Sequence, residues 1–492
     1  MKFEDLKSKK IGVLGFGTNN QKLVFWLLKH DIASVAICDK DPEIHQKLES
    51  RLNDDEKSIL TKILDWRVGD NFLENLSDFD IVFRTPGLPL FSPEIQVAKS
   101  AGVIISSQTE LFLELVPCQT IGVTGTKGKS TTAAMIAHLL NKSKVKNQKS
   151  KIQVKSQKFN KIYLAGNIGR DPFEFIDELK AEDIVVLELS SFQLQGIGTS
   201  PHVAVVTRLG SDHLNYHQNL QEYYDAKSSI VSHQKSDDYL IINIDSTTAV
   251  LQIVERSSGQ IISYSGRTPI SHGVYVEVGA NEVGQVMIND VQLDTSLIAG
   301  SADEAKVVGR HNMENWAAAA AVGYFVYGIK AGESREFLKS FNGLPYRTEF
   351  IREVGGVRFY NDSYSTNPDS TIAALESFES PVILICGGSS KNIDFSDLAK
   401  KIRERQVKAV LAMGQEGPRI LETLSGFKDI GQLPKLTAIV EDLETAIKKA
   451  NDLSEPNDVV LLSPACASFD MFENATDRGE RFNTIVNNLI AN

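Results

Sequence analysis

Ile121-Gly-Val-Thr-Gly-Thr-Lys-Gly-Lys-Ser-Thr-Thr132 joins an apolar run at 120–123 to a helical pattern at 131–140 through a glycine turn. Strand, glycine turn and helix make a phosphate cradle. Glycines let backbone N–H groups close on the oxygens, and the helix N-terminus favours their negative charge. In this reading Gly125, Thr126, Lys127, Gly128, Lys129, Ser130 and Thr131 hold a nucleotide; Lys129 reaches the outer phosphates and the Ser130 hydroxyl ligates Mg²⁺. The widespread form of this loop has glycine five residues before the glycine of Gly-Lys-Ser. Val123 stands there, so what is present is the shorter Gly125-Thr-x-Gly-Lys-Ser130. A merely structural glycine turn would need neither the lysine nor the serine.

The 492 residues exceed one core and suit two to four domains. A formal net charge of −11 argues against a general nucleic-acid binder. The charged start at Met1–Leu6 is unlike a signal peptide, and no apolar run reaches the length of a membrane span. Cys38, Cys118, Cys386 and Cys466 lie far apart and read as reduced thiols.

The chain opens with a strand at 11–15, the glycine turn Gly12-Val-Leu-Gly-Phe-Gly17, a helix at 21–28 and a strand at 34–38 ending in Asp39. This is half a dinucleotide fold, with Asn20 where the third fingerprint glycine would stand, so a dehydrogenase reading is weak. A strand at 80–84 runs into Thr85-Pro-Gly-Leu-Pro89, and the unit closes near Pro117. Residues 141–161 hold eight lysines and no acid, the pattern of a solvated, mobile loop. Strands and helices then alternate to about residue 330. Strand ends at Glu188, Thr207 and Asn243 are expected beside the phosphate loop, at one edge of a largely parallel sheet. Residues 260–295 alternate and read as antiparallel strands; 312–327 read as an Ala-rich helix. Strands at 356–360, 382–386, 409–413 and 459–463 form a last unit. The expected architecture is α/β in three domains: 1–117, Rossmann-like; 118–343, a P-loop ATPase-like parallel sheet; and 344–492, Rossmann-like again.

Chemistry concentrates in a few stretches. Ile184-Val-Val-Leu-Glu-Leu-Ser-Ser-Phe-Gln-Leu194 ends a hydrophobic strand at Glu188, where a carboxylate is costly unless paired or metal-bound. Thr207-Arg-Leu-Gly-Ser-Asp-His-Leu-Asn-Tyr-His217 places His213 after the next strand. Carboxylate and imidazole together suit a second Mg²⁺ that keeps waters and a substrate oxygen. Lys227 falls on a helix at 220–232. Asn312, in Gly309-Arg-His-Asn-Met-Glu-Asn315, could simply cap the Ala-rich helix. Pro345-Tyr-Arg-Thr-Glu349, Tyr360-Asn-Asp-Ser-Tyr-Ser-Thr-Asn-Pro368, Cys386-Gly-Gly-Ser-Ser-Lys-Asn-Ile-Asp-Phe395, Leu462-Ser-Pro-Ala-Cys-Ala-Ser-Phe-Asp-Met-Phe472 and Asp477-Arg-Gly-Glu-Arg-Phe482 mark the last domain.

These motifs together resemble the Mur ligase family, the ATP-dependent amide-bond ligases of peptidoglycan synthesis, and in the C-terminal motifs its D-glutamate-adding branch. The resemblance implies a monomeric cytoplasmic enzyme that joins D-glutamate to UDP-N-acetylmuramoyl-L-alanine through an acyl-phosphate, with ATP and two Mg²⁺ ions. It implies Lys129, Glu188, His213 and Lys227 as catalytic, with Ser130, Glu188 and His213 as metal ligands and Lys227 as a candidate carbamate. Asn312, Arg347 and Asp362 would meet the nucleotide. Gly15, Asp39 and Asn167 would bind the UDP-linked acceptor, and Lys391, Ser468 and Phe469 the amino acid. Physically, an ammonium and a hydroxyl among backbone donors suit a dicarboxylate. Two positions depart from the family: Tyr364 replaces a lysine, and Ala475 replaces an aromatic residue. Another amide ligase of the same fold, including the folate-glutamylating relatives, would keep the phosphate loop but change the C-terminal pocket.

Overall fold

A computed structural model describes residues 2–32, 34–49, 52, 54–143, 160–213, 216–278, 284–390, 393–427 and 430–490. Most of the lysine-rich stretch, and Lys391, lie outside the described residues.

Three sheets organise the described residues. The first holds β1 (Ile11–Leu14), β2 (Val35–Asp39), β3 (Asp65–Val68), β4 (Ile81–Arg84) and β5 (Ile104–Ser106), all parallel, in the order β3-β2-β1-β4-β5. The second runs through β6 (Gln119–Thr124), β7 (Ile162–Gly166), β8 (Ile184–Glu188), β9 (Val203–Val206) and β10 (Tyr239–Asn243). It continues through β11 (Gln260–Ser265), β12 (Gly273–Val278), β13 (Gly284–Asp290) and β14 (Thr295–Ser301). Its order is β14-β13-β12-β11-β10-β9-β6-β8-β7. The third contains β15 (Glu349–Val354), β16 (Val357–Asn361), β17 (Val382–Gly387), β18 (Ala409–Met413), β19 (Leu436–Ile439) and β20 (Val459–Leu462). Its order is β15-β16-β20-β17-β18-β19, with a β15–β16 antiparallel hairpin on an otherwise parallel sheet.

Continuous apolar runs make the central strands: β8, β9, β10, β17 and β20 are buried at every position, as strands covered on both faces must be. One expectation is corrected here. β11 pairs in parallel with both β10 and β12, not antiparallel. Alternating residues report a half-exposed strand and carry no direction. The helix Thr247–Arg256 between β10 and β11 makes the crossover that brings the chain back in the same sense.

The chain divides into two compact units: 1–277 with 286–299 and 314–337, and 278–285 with 300–313 and 338–492. In the first, one continuous apolar core runs from Phe16 and Leu27 through Phe112 and Phe175 to Leu187 and Val206. Within that sheet, β6 lies between β8 and β9, where the strand order turns: β8 and β7 continue toward one edge, β9 and β10 toward the other. Open α/β sheets bind ligands at such a point, outside the carboxyl ends of the strands.

Candidate functional site

The phosphate loop leaves β6 at this parting of the strands, and the helix Lys129–Ser143 follows it. Gly125 has φ +146° and Gly128 φ +87°, both in the region that favours glycine. Space is as restrictive as torsion. A Cβ on Gly125 would sit 1.9 Å from Thr207 Oγ1, and one on Gly128 2.3 Å from Asn315 Oδ1. The loop is fixed from outside. Thr126 N–H donates to the Arg208 carbonyl (2.9 Å), the Thr207 hydroxyl donates to the Lys127 carbonyl (2.6 Å), and the Thr126 and Tyr223 hydroxyls share a 2.8 Å hydrogen bond. Lys129 Nζ donates to the Thr126 carbonyl at 3.0 Å, folded over its own loop. Ser130 is buried at the helix start, with Thr131 half-buried beside it. Replacing Gly125 by Ala is expected to cost about 1–3 kcal/mol from the torsion alone and to displace Thr207. Thermal unfolding with and without ATP checks this: an unchanged melting point with a full ATP-induced shift would contradict it.

Around the loop the structure gathers Glu188, His213 and Lys227. Glu188 is 4 % exposed, and its Oε2 is buried without a hydrogen-bond partner. An orphaned carboxylate oxygen at a strand end fits a cation ligand, because such an atom is otherwise costly. Among the described residues no group of three or more His, Cys, Asp or Glu could hold a metal ion. The orphaned Glu188 oxygen fits Mg²⁺ held through one carboxylate, with water and phosphate completing the shell, as that ion is commonly held. His213 adopts φ +53°, and its ring lies tilted against Phe192 with centroids 4.8 Å apart. Burial, with the Lys129 and Lys227 charges, holds its pKa below the usual imidazole range although Asp212 opposes them. Lys227 is 2 % exposed; its Nζ donates to the Gly125 carbonyl (2.8 Å) and lies 4.7 Å from the Tyr223 ring centre. Burial, and then Lys129, push its pKa well below the ordinary lysine value. Lys129, Asn167, His213 and Lys227 line one cleft of about 240 Å³, together with Pro86 and Ser191. Asn167 N–H donates to the Glu188 carbonyl (3.1 Å), which ties the end of β7 to that of β8.

The other sequence-derived candidates are placed as follows. Gly15 has φ +78°, and a Cβ there would meet the Thr85 methyl at 2.7 Å. The Asp39 carboxylate accepts from the N–H groups of Phe16 (2.6 Å) and Asp41 (2.8 Å), so it orders the first glycine turn. In the second unit Asn312 is buried and its Nδ2 donates to the Val308 carbonyl at 2.7 Å. Asp362 is buried and accepts from the Thr348 N–H (3.0 Å), the Ser463 hydroxyl (2.7 Å) and the Ser365 hydroxyl (2.5 Å). Burial raises its pKa to about 6 against those donors. Arg347 stacks 5.4 Å from the Tyr364 ring centre, where the resemblance leads one to expect a lysine.

Three separate C-terminal motifs meet at the ends of β17 and β20. Ser389 N–H donates to the Ala467 carbonyl (2.9 Å), and the buried Arg478 donates to the carbonyls of Cys466 (3.2 Å) and Ala467 (3.3 Å). Ser468 is buried in this turn and Phe469 is exposed beside it. Cys466 is a packing residue, its thiol pushed up to about 12 by burial.

The sequence reading missed Tyr223 and Asn315. Tyr223 braces Thr126, while Asn315 closes on Gly128 and accepts from the Thr132 hydroxyl at 3.3 Å. Asn315 stood within a quoted motif; only its spacing of one helical turn from Asn312 could have singled it out.

Residues 123–323 match the Mur ligase middle domain, and residues 346–466 match the Mur ligase, glutamate ligase domain. The chain is 36% identical over 492 residues to UDP-N-acetylmuramoylalanine–D-glutamate ligase of Acetivibrio thermocellus, covering 99% of this chain and 98% of that one. Among solved structures, the UDP-N-acetylmuramate-alanine ligase MurC of Thermotoga maritima shares the fold with TM-score 0.56 at 19% identity, covering 97% of this chain and 99% of that one. The MurF ligase of the same organism, solved in complex with ADP, does so with TM-score 0.55 at 15% identity, covering 98% of this chain and 96% of that one. The chain belongs to the Mur ligase family.

Proposed function

We infer that this chain is the ATP-dependent ligase that adds D-glutamate to UDP-N-acetylmuramoyl-L-alanine in peptidoglycan precursor synthesis. The observation that carries the reading is near-full-length likeness to the D-glutamate ligase of Acetivibrio thermocellus, on a chain whose phosphate loop, Glu188 and Lys227 converge. The family uses ATP, and the cradle of Gly125–Ser130 is the site proposed for its phosphates. Ser130, Glu188 and His213 would hold two Mg²⁺ ions, which neutralise charge on a transferring phosphoryl group.

The alanyl carboxylate of the acceptor would lie in the cleft beside Lys129, with Asn167 and His213 orienting it. Phosphoryl transfer there needs mainly positioning and charge neutralisation, and Lys129 supplies a cation that unfolds from Thr126 onto the phosphates. The D-glutamate amine then attacks the acyl carbon and phosphate leaves. We assign the UDP-bearing part to residues 1–117, with Gly15 and Asp39, and the nucleotide to 118–343. The amino acid falls to 344–492, through Lys391, Ser468 and Phe469. Arg347 and Asp362 serve the nucleotide from that last domain, with Asn312. No helix among the described residues is long and apolar enough to cross a membrane, and all four cysteines are free.

Phosphate release measured across a panel of amino acids, with UDP-N-acetylmuramoyl-L-alanine as acceptor, tests the assignment. D-glutamate should give the largest signal, and preference for a basic amino acid such as L-lysine would overturn it. Lys391→Met should weaken apparent D-glutamate affinity about 10- to 150-fold, the worth of one desolvated charged hydrogen bond. The KM for ATP should stay near wild type.

A further inference from the structure

Arg84 ends β4 with its side chain buried, 2 % exposed, on a strand whose other residues are apolar. Desolvating a guanidinium is costly, so the structure must meet its donors. Nη1 donates to the carbonyls of Leu88 (2.5 Å), Thr85 (3.4 Å) and Pro86 (3.4 Å) and to the Tyr216 hydroxyl (3.3 Å). Nη2 donates to the carbonyls of Phe192 (3.3 Å) and Gln195 (3.2 Å). One side chain thus ties the loop that follows β4 to the segment that follows β8. Two neighbours reinforce the tie. The Tyr216 hydroxyl donates to the Pro86 carbonyl (2.8 Å), and Gln195 Oε1 accepts from the Leu90 N–H (3.1 Å). Pro86 from the loop and Phe192 from the segment are both walls of the cleft that holds Lys129 and His213.

We propose that Arg84 is a positioning residue for the UDP-linked acceptor: by pinning residues 85–90 to residues 192–195 it fixes the distance between two walls of the acceptor cleft. The inference rests on the reading of that cleft given above. An aliphatic residue would fill the same volume without joining the two walls. The planar fork of arginine reaches carbonyls on both sides at once, which the point charge of lysine does not.

The test uses the full-length enzyme and Arg84→Met, which keeps bulk and removes every donor. Acceptor KM should rise about 10-fold, the scale of losing one charged hydrogen bond, while ATP KM stays within about 2-fold. Amide hydrogen exchange at Leu88 and Leu90 should quicken with it. Tyr216→Phe, which removes one hydroxyl and spares the guanidinium, should move the same quantities about 3-fold and decides the matter if Arg84→Met does not fold. Unchanged acceptor KM and exchange in a wild-type-like fold overturn the inference and leave the functional reading standing. Equal rises in acceptor and ATP KM also overturn it, since they mark general loosening. A wild type that releases no phosphate with this acceptor overturns the functional reading, and the inference with it.

Discussion

Lys129→Ala is expected to cut phosphate release about 10²- to 10³-fold or more, the cost of removing one preorganised donor to transition-state charge. The fold should survive. Lys129 donates to the Thr126 carbonyl, and the loop is also held by Tyr223, Thr207 and the Arg208 carbonyl. Transition-state charge spreads over the phosphoryl oxygens, and in P-loop enzymes the lysine on the β/γ-phosphates is part of the cradle that stabilises it. The measurement is steady-state phosphate release alongside circular dichroism. Turnover close to wild type, with the fold intact, would remove the loop from the mechanism.

Lys227→Ala should lose about 10- to 100-fold in activity, as a group that orders a metal through its ligands does. Acetate should restore part of it. At 2 % exposure, and with Lys129 nearby, the amine is held neutral far more readily than a surface lysine. A neutral amine adds to CO₂, forming an N–C bond and releasing one proton, to give a carbamate whose single negative charge is shared by two oxygens. The carbamate nitrogen keeps one N–H, enough to preserve the hydrogen bond to the Gly125 carbonyl seen at 2.8 Å. Carbon-13 NMR under labelled bicarbonate reads the adduct directly. No adduct signal, together with no rescue by acetate or other short carboxylic acids, would reduce Lys227 to a packing and loop-bracing role.

The local parts of this protein are legible in its amino-acid sequence. The phosphate loop was legible because its strand, glycines, lysine and serine are contiguous, and the torsions at Gly125 and Gly128 are demands of the chain itself. Glu188 was legible because a carboxylate closing an apolar strand must find a partner, and the structure leaves its Oε2 buried and unpartnered within the protein. The central strands were legible from unbroken apolar runs.

The rest came from packing between segments distant along the chain. The direction of β11 depended on a crossover helix, which alternation cannot encode. Tyr223 and Asn315 reach the loop from 97 and 183 residues away along the chain, from Thr126 and Thr132 respectively. In sequence Arg84 is only the last residue of a strand. Only the packing of β4 against the chain beyond β8 turns it into a buried link, because a guanidinium is tolerated inside where folding has already lined up the carbonyls to receive it.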